Sequence, residues 1–217
     1  SIGTIEAGQA IIGLTLTVGN LANGASEILS IDGTDIALVN GANGVTGSNG
    51  IGYSVSVSGG TATVTLTHAG LSTASVQTVI DGMTYRNSSE APTGSSRVVT
   101  LTSITDNGGT SNGGVNSTSV SIAATVGVDA VNDAPGTPVV PSLPVSGSED
   151  VPLVLNGISF SDIDAGSDVV QATFSVAPGS GTFSALAGAG VTLTGSGTNQ
   201  LVLSGSLSDI NAFIASS

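Results

Sequence analysis

The sequence predicts an all-β fold of tandem antiparallel β-sandwich modules, the second of them incomplete. Three observations carry that expectation. First, apolar residues alternate with Ser and Thr at Leu14, Leu16 and Val18, at Tyr53, Val55 and Val57, at Val64 and Leu66, and from Val120 to Val128. A period of two with a Ser/Thr wet face is the pattern of a half-buried antiparallel strand. Second, Asn-Gly pairs start at Asn23, Asn40, Asn43, Asn49, Asn107, Asn112 and Asn156, and Asp-Gly pairs at Asp32 and Asp81. These are turn residues, and closely spaced strands need them. Third, the pattern occurs twice.

Residues 5–18 align without gaps on 163–176. Each copy has an acid-Ala-Gly turn (Glu6-Ala7-Gly8, Asp164-Ala165-Gly166), then a β-branched pair, then alternation. Further on, Tyr53, Val55, Val64 and Leu66 correspond to Val191, Leu193, Leu201 and Leu203. Val76, Val79, Ile80 and Met83 correspond to Ile210, Phe213, Ile214 and Ser217. A period this long indicates tandem domains rather than a short-period solenoid. The expected organisation is a first module over 1–133 lacking its N-terminal strand, a Pro-rich stretch over 134–147, and the front part of a second module over 148–217. The stretch carries Pro135, Pro138, Pro141 and Pro144 and reads as a stiff linker or an edge strand. Between Val18 and Tyr53 the first copy holds roughly twenty extra residues, an insertion near 19–52. The spacing of Val76, Val79, Ile80 and Met83 is the main helical signal, expected to form a turn or two.

Composition narrows the function classes. The 217 residues are 39% hydrophobic but only 3% aromatic, without Trp, so Val, Ile, Leu and Ala must build the core. Fifteen acids against two arginines, Arg86 and Arg97, give a formal net charge of −13. Nucleic acid and anionic membrane surfaces would be repelled. No apolar run approaches the ~20 residues of a membrane-spanning helix. With neither Cys nor Lys, disulfides and Lys–Asn isopeptide cross-links are both excluded, leaving metal and packing as reinforcement.

Many of the acids gather around one boundary: Asn132-Asp133 after Asp129, Glu149-Asp150, and Asp162-Ile163-Asp164. Ca2+ takes about six to eight oxygens, drawn from several segments where no contiguous loop supplies them. Asp162 and Asp164 alone would read equally well as a solvated turn; the gathering of segments is what points to an ion. His68, the single histidine, has no nucleophile placed near it in the sequence, and no Ser/His/Asp set can be singled out. The rings of Tyr53, Tyr85 and the four Phe fall in strand patterns and read as core rather than as sugar platforms.

Val131-Asn132-Asp133-Ala134-Pro135, Ser148-Glu149-Asp150 and Asp162-Ile163-Asp164-Ala165-Gly166 resemble the repeat boundary of bacterial cadherin-like and Ig-like tandem modules. Such modules occur in giant secreted surface proteins, RTX-type adhesins among them. Met83-Thr84-Tyr85-Arg86-Asn87 and Ile104-Thr105-Asp106-Asn107-Gly108-Gly109 fit their later strands. The resemblance implies Ca2+ at module junctions, with ligands Asn132, Asp133, Glu149, Asp150, Asp162 and Asp164, and Asp106 as a contributor from the first module. In the first copy Thr4-Ile5-Glu6 stands where Asp162-Ile163-Asp164 stands in the second, so one carboxylate is missing there. The implied function is a non-catalytic extender at the bacterial surface or secreted, whose partners are neighbouring modules of the same chain. Two other readings stay open: a carbohydrate- or protein-binding module using residues 19–52, its receptor or glycan unknown, and a self-assembling coat or filament subunit.

Overall fold

The computed structural model describes residues 8–94, 96–142, 146–148, 150–188 and 190–216. Thr4, Ile5, Glu6, Ala7, Pro144, Glu149 and Ser217, all named above, lie outside the described residues. Contacts divide the chain into two units, Ser1–Ala130 and Val131–Ser217.

Unit 1 is an antiparallel sandwich. Its strands are β1 (Ile11–Gly19), β2 (Glu27–Ile31), β3 (Thr34–Ala37), β4 (Asn43–Val45), β5 (Gly52–Ser58), β6 (Thr61–Leu71), β7 (Thr84–Asn87), β8 (Ser96–Asp106) and β9 (Ser117–Gly127), with helix α1 (Thr73–Asp81) after β6. One sheet has six strands in the order β4-β5-β6-β1-β8-β9; the other has three, β3-β2-β7. Alternation puts Leu14, Leu16 and Val18 of β1, Ala62, Val64 and Leu66 of β6, Val55 of β5 and Leu101 of β8 on one face of the large sheet. They share a single core with Leu29, Ile31 and Ile36 from the small sheet, Leu38 just after it, and Val76 and Val79 from α1. Burying each such side chain contributes about 1.5–3 kcal/mol.

Residues 19–52 are therefore more than an attached surface loop. They contain β2 and β3, the inner face of the smaller sheet, and without them the core would lose one of its two walls. They are an insertion only relative to the second copy of the repeat, which has no counterpart of them in sequence.

Turn chemistry works at specific places. Asp32 and Gly33 link β2 to β3 with φ of 53° and 75°, a two-residue hairpin whose positive φ at both positions selects an Asp-Gly pair. Asp81-Gly82, by contrast, closes no hairpin. Gly82 is the C-terminal cap of α1. That helix runs nine residues, longer than the predicted turn or two, and Met83 lies beyond its end.

Unit 2 has strands β10 (Val169–Ser175), β11 (Val191–Thr194) and β12 (Gln200–Ser206), then helix α2 (Leu207–Ala215). They form one three-stranded sheet in the order β10-β12-β11. Its core holds Ala172, Val191, Leu201, Leu203, Ile210 and Ile214, with all four Phe packed around it. Phe160 and Phe174 meet edge to face, ring centroids 6.2 Å apart.

The repeat seen in the sequence is also a repeat of structure. β1, β5 and β6 pair in the order β5-β6-β1, and β10, β11 and β12 in the order β11-β12-β10. A nine-residue helix follows the third of these strands in each unit. Ser72 caps α1 by accepting the Ser75 N–H, and Ser206 caps α2 by accepting the Asp209 N–H. The Pro-bearing stretch goes with unit 2. Gly136 N–H donates to Ser161, and Val139 and Ser159 exchange hydrogen bonds as an isolated antiparallel bridge.

Candidate functional site

The acids predicted to gather do so in part. Asp162 sits in a turn, its Oδ1 accepting the N–H groups of Asp164 at 3.3 Å and Ala165 at 3.2 Å. That turn directs the Asp164 carboxylate back toward the start of the unit, where its Oδ2 accepts the Asp133 N–H at 2.8 Å. So residues 31 apart in sequence are strapped together by one charge-assisted hydrogen bond. The Asp133 N–H, more than the neighbouring Asp162 carboxyl, holds Asp164 below the usual carboxylate range. Asn132 donates its side-chain amide to the Asp133 carbonyl, bracing the same corner. Asp164 Oδ1 is buried and receives no hydrogen bond.

Asp150 occupies an exposed turn at φ 61°. Asp106, at the end of β8 in unit 1, accepts the Gly108 N–H through its Oδ1 and so caps its own turn. Glu149 lies outside the described residues. Among the described residues no group of three or more His, Asp or Glu side chains is placed to hold a metal ion. What the described residues bring together is the carboxylate pair Asp162 and Asp164 with the Asn132-Asp133 corner beside it.

That pair still passes a chemical test for a hard cation. A buried carboxylate oxygen without a donor is costly, and a divalent ion is one way to satisfy it. Asp162 and Asp164 would hold the ion with carboxylate oxygens, as Ca2+ prefers. Water would have to complete most of its shell.

A second polar centre escaped the sequence reading. Glu27 and Arg97 are both fully buried, with Arg97 Nε 2.8 Å from Glu27 Oε2. Glu27 Oε1 accepts the N–H groups of Ala22 and Asn23, each at 2.6 Å, and Oε2 accepts the Tyr85 hydroxyl at 2.9 Å. Arg97 also donates to Asn23 Oδ1 and the Thr93 carbonyl. Burial pushes the Glu27 carboxyl up, but Arg97, the two N–H groups and Tyr85 together outweigh it and leave the group at about 2. The Tyr85 hydroxyl is pushed up to about 12, by burial first and then by its bond to Glu27. Glu27 opens β2, Tyr85 lies on β7 and Arg97 is the second residue of β8, so the network pins the two sheets to one another. Every Glu27 and Arg97 contact is spent on structure. Arg86, the other basic residue, pairs with Asp35 on the surface at 2.7 Å. His68 Nδ1 accepts the Gly70 N–H, a local turn contact.

In unit 2 a further clasp depends on one side chain. Asn211 on α2 accepts the Phe160 N–H and donates to the Phe160 carbonyl, both at 2.9 Å. This holds the backbone of residue 160, and so Phe160 itself, against the core. Asn211→Ala is expected to destabilise unit 2 by about 1–3 kcal/mol, since both main-chain groups lose their partner. Hydrogen exchange at Phe160 checks it: protection there should fall before protection in β12.

No family model, curated protein or solved structure matches this chain. Among the described residues no helix is long and apolar enough to cross a membrane.

Proposed function

We propose that the chain is a non-catalytic extender segment of a bacterial cell-surface or secreted adhesin, built from cadherin-like or Ig-like tandem modules, with Ca2+ reinforcing the start of the second. The observation that carries this reading is the structural repeat: two units in series share strand order, helix and Ser cap. Serial copies of one module add length without adding chemistry. The buried, unpaired Asp164 Oδ1 supports the calcium part. A bound ion at Asp162 and Asp164 would fix the corner that the Asp133 N–H already straps, and would relieve part of the −13 charge.

The binding-module alternative has less support, because residues 19–52 supply Leu29, Ile31, Ile36 and Leu38 to the core. Melting and sedimentation with and without a calcium chelator test the proposal. Chelation should lower the melting temperature of unit 2 and change the hydrodynamic length. Both quantities unchanged would remove the calcium reinforcement.

A further inference from the structure

We infer that β9 is a self-association edge, through which two copies of this chain pair antiparallel about a two-fold axis. The inference starts from how the edges of unit 1 differ. On the small sheet, β3 carries Asp35 and β7 carries Arg86, and their ion pair spans the intervening β2. Charge on an edge strand discourages a second chain from pairing there. On the large sheet, β4 is three residues long and offers little to pair with. β9 is neither charged nor short, and the one departure from a regular ladder is a register irregularity where Leu101–Ser103 oppose Ile122–Ser119. It is 11 residues long and pairs, among the described residues, with β8 alone. From Asn107 to Val128 the sequence contains no charged residue and no Pro, in a chain carrying 15 acids.

The core face of the sheet also continues onto β9, where Val120 packs against the core while Ile122 lies largely open. Leu101 opposes Ile122, Val99 opposes Ala124 and Arg97 opposes Val126. Directly opposed residues point to one face. Leu101 and Arg97 are buried, yet Ile122 on that same face is 62% exposed. Ile122, Ala124 and Val126 therefore extend the core face as an apolar row along this edge.

The occupant that fits is a second β9. Two molecules of charge −13 repel each other over most of their surfaces, so a charge-free strand is where they can approach. The strand is also self-complementary when antiparallel. With Ile122 on the two-fold axis, each Ile122 lies beside its counterpart, each Val120 beside the other chain's Ala124, and each Thr118 beside its Val126. Each apolar row then extends the other, and main-chain hydrogen bonds join the two large sheets into one.

The test is sedimentation equilibrium of the full chain in chelator, so that failure of the calcium reading leaves it intact. The wild type should form a dimer that strengthens as salt screens the acids. Ile122→Lys and Ser121→Lys, both at exposed positions, should each weaken it at least about tenfold while circular dichroism shows the fold retained. Because the chain has no cysteine, Ile122→Cys should oxidise to a disulfide dimer about tenfold faster than Val115→Cys, whose counterpart would lie far along the strand. A monomeric wild type at every concentration, a dimer indifferent to both Lys variants, or equal oxidation of the two Cys variants would overturn the inference.

Discussion

Arg97→Ala is expected to destabilise unit 1 by about 3–5 kcal/mol, because it leaves the Glu27 carboxylate buried and without its counter-charge. The size follows from burial: neither side chain reaches solvent, so water cannot replace the lost guanidinium. Glu27→Ala should cost as much or more, since it also strands the Ala22 and Asn23 N–H groups and the Tyr85 hydroxyl. Arg86→Ala, at a half-exposed ion pair, should cost under about 1 kcal/mol. Tyrosine fluorescence on heating measures all three, because Tyr53 and Tyr85 both belong to unit 1. The same network gives a pH signature. The folded-state value of Glu27, about 2, lies below its usual 4.5, so its contribution is complete above pH 4.5 and lost as pH falls toward 2. Tyr85 is raised from 10.0 to about 12, so its contribution is complete below pH 10 and lost as pH climbs toward 12. Equal losses for Arg97→Ala and Arg86→Ala would contradict the buried network.

Ile210→Ala should unfold unit 2 selectively. Ile210 is fully buried on α2 in a core of six buried apolar residues, against sixteen in the core of unit 1. An isoleucine cut to alanine in such a place costs roughly 2–5 kcal/mol, the larger values where the site cannot collapse. A unit of this size has a margin on the order of 5 kcal/mol, so one substitution removes most of it. The tyrosine signal of unit 1 should keep its midpoint, while a far-UV transition shifts down by on the order of 10–20 °C. A parallel shift in both signals would mean that the two units do not melt independently.

Much of the fold was legible because Val, Leu and Ile alternate with Thr and Ser over stretches as long as β1, β6 and β9. The helix signal was legible from the i, i+3, i+4 spacing of Val76, Val79 and Ile80. What could not be read is instructive. β2 and β3 are short, so their pattern is indistinguishable from a polar loop with a few apolar residues. The Glu27–Arg97 pair joins residues 70 apart, and no local spacing links the two. One clue was available: an arginine set directly before Val98-Val99 on an inward-facing register needs a buried acid. The acidic corner was half legible. Sequence placed Asp133, Asp162 and Asp164 in one neighbourhood, and the Asp133–Asp164 hydrogen bond brings their segments together. It could not tell that Asp106 is committed to its own turn, because spacing carries no information on where a carboxylate points.

The calcium proposal is tested most directly by counting the ion. The chain is equilibrated with Ca2+, freed of excess by dialysis, and assayed for bound metal beside the Asp162→Asn/Asp164→Asn double variant. The proposal predicts about one Ca2+ per wild-type chain and none in the variant, with the Glu27–Arg97 unit melting unchanged in both. A wild type that retains no Ca2+, or a variant that retains as much as the wild type, would contradict it.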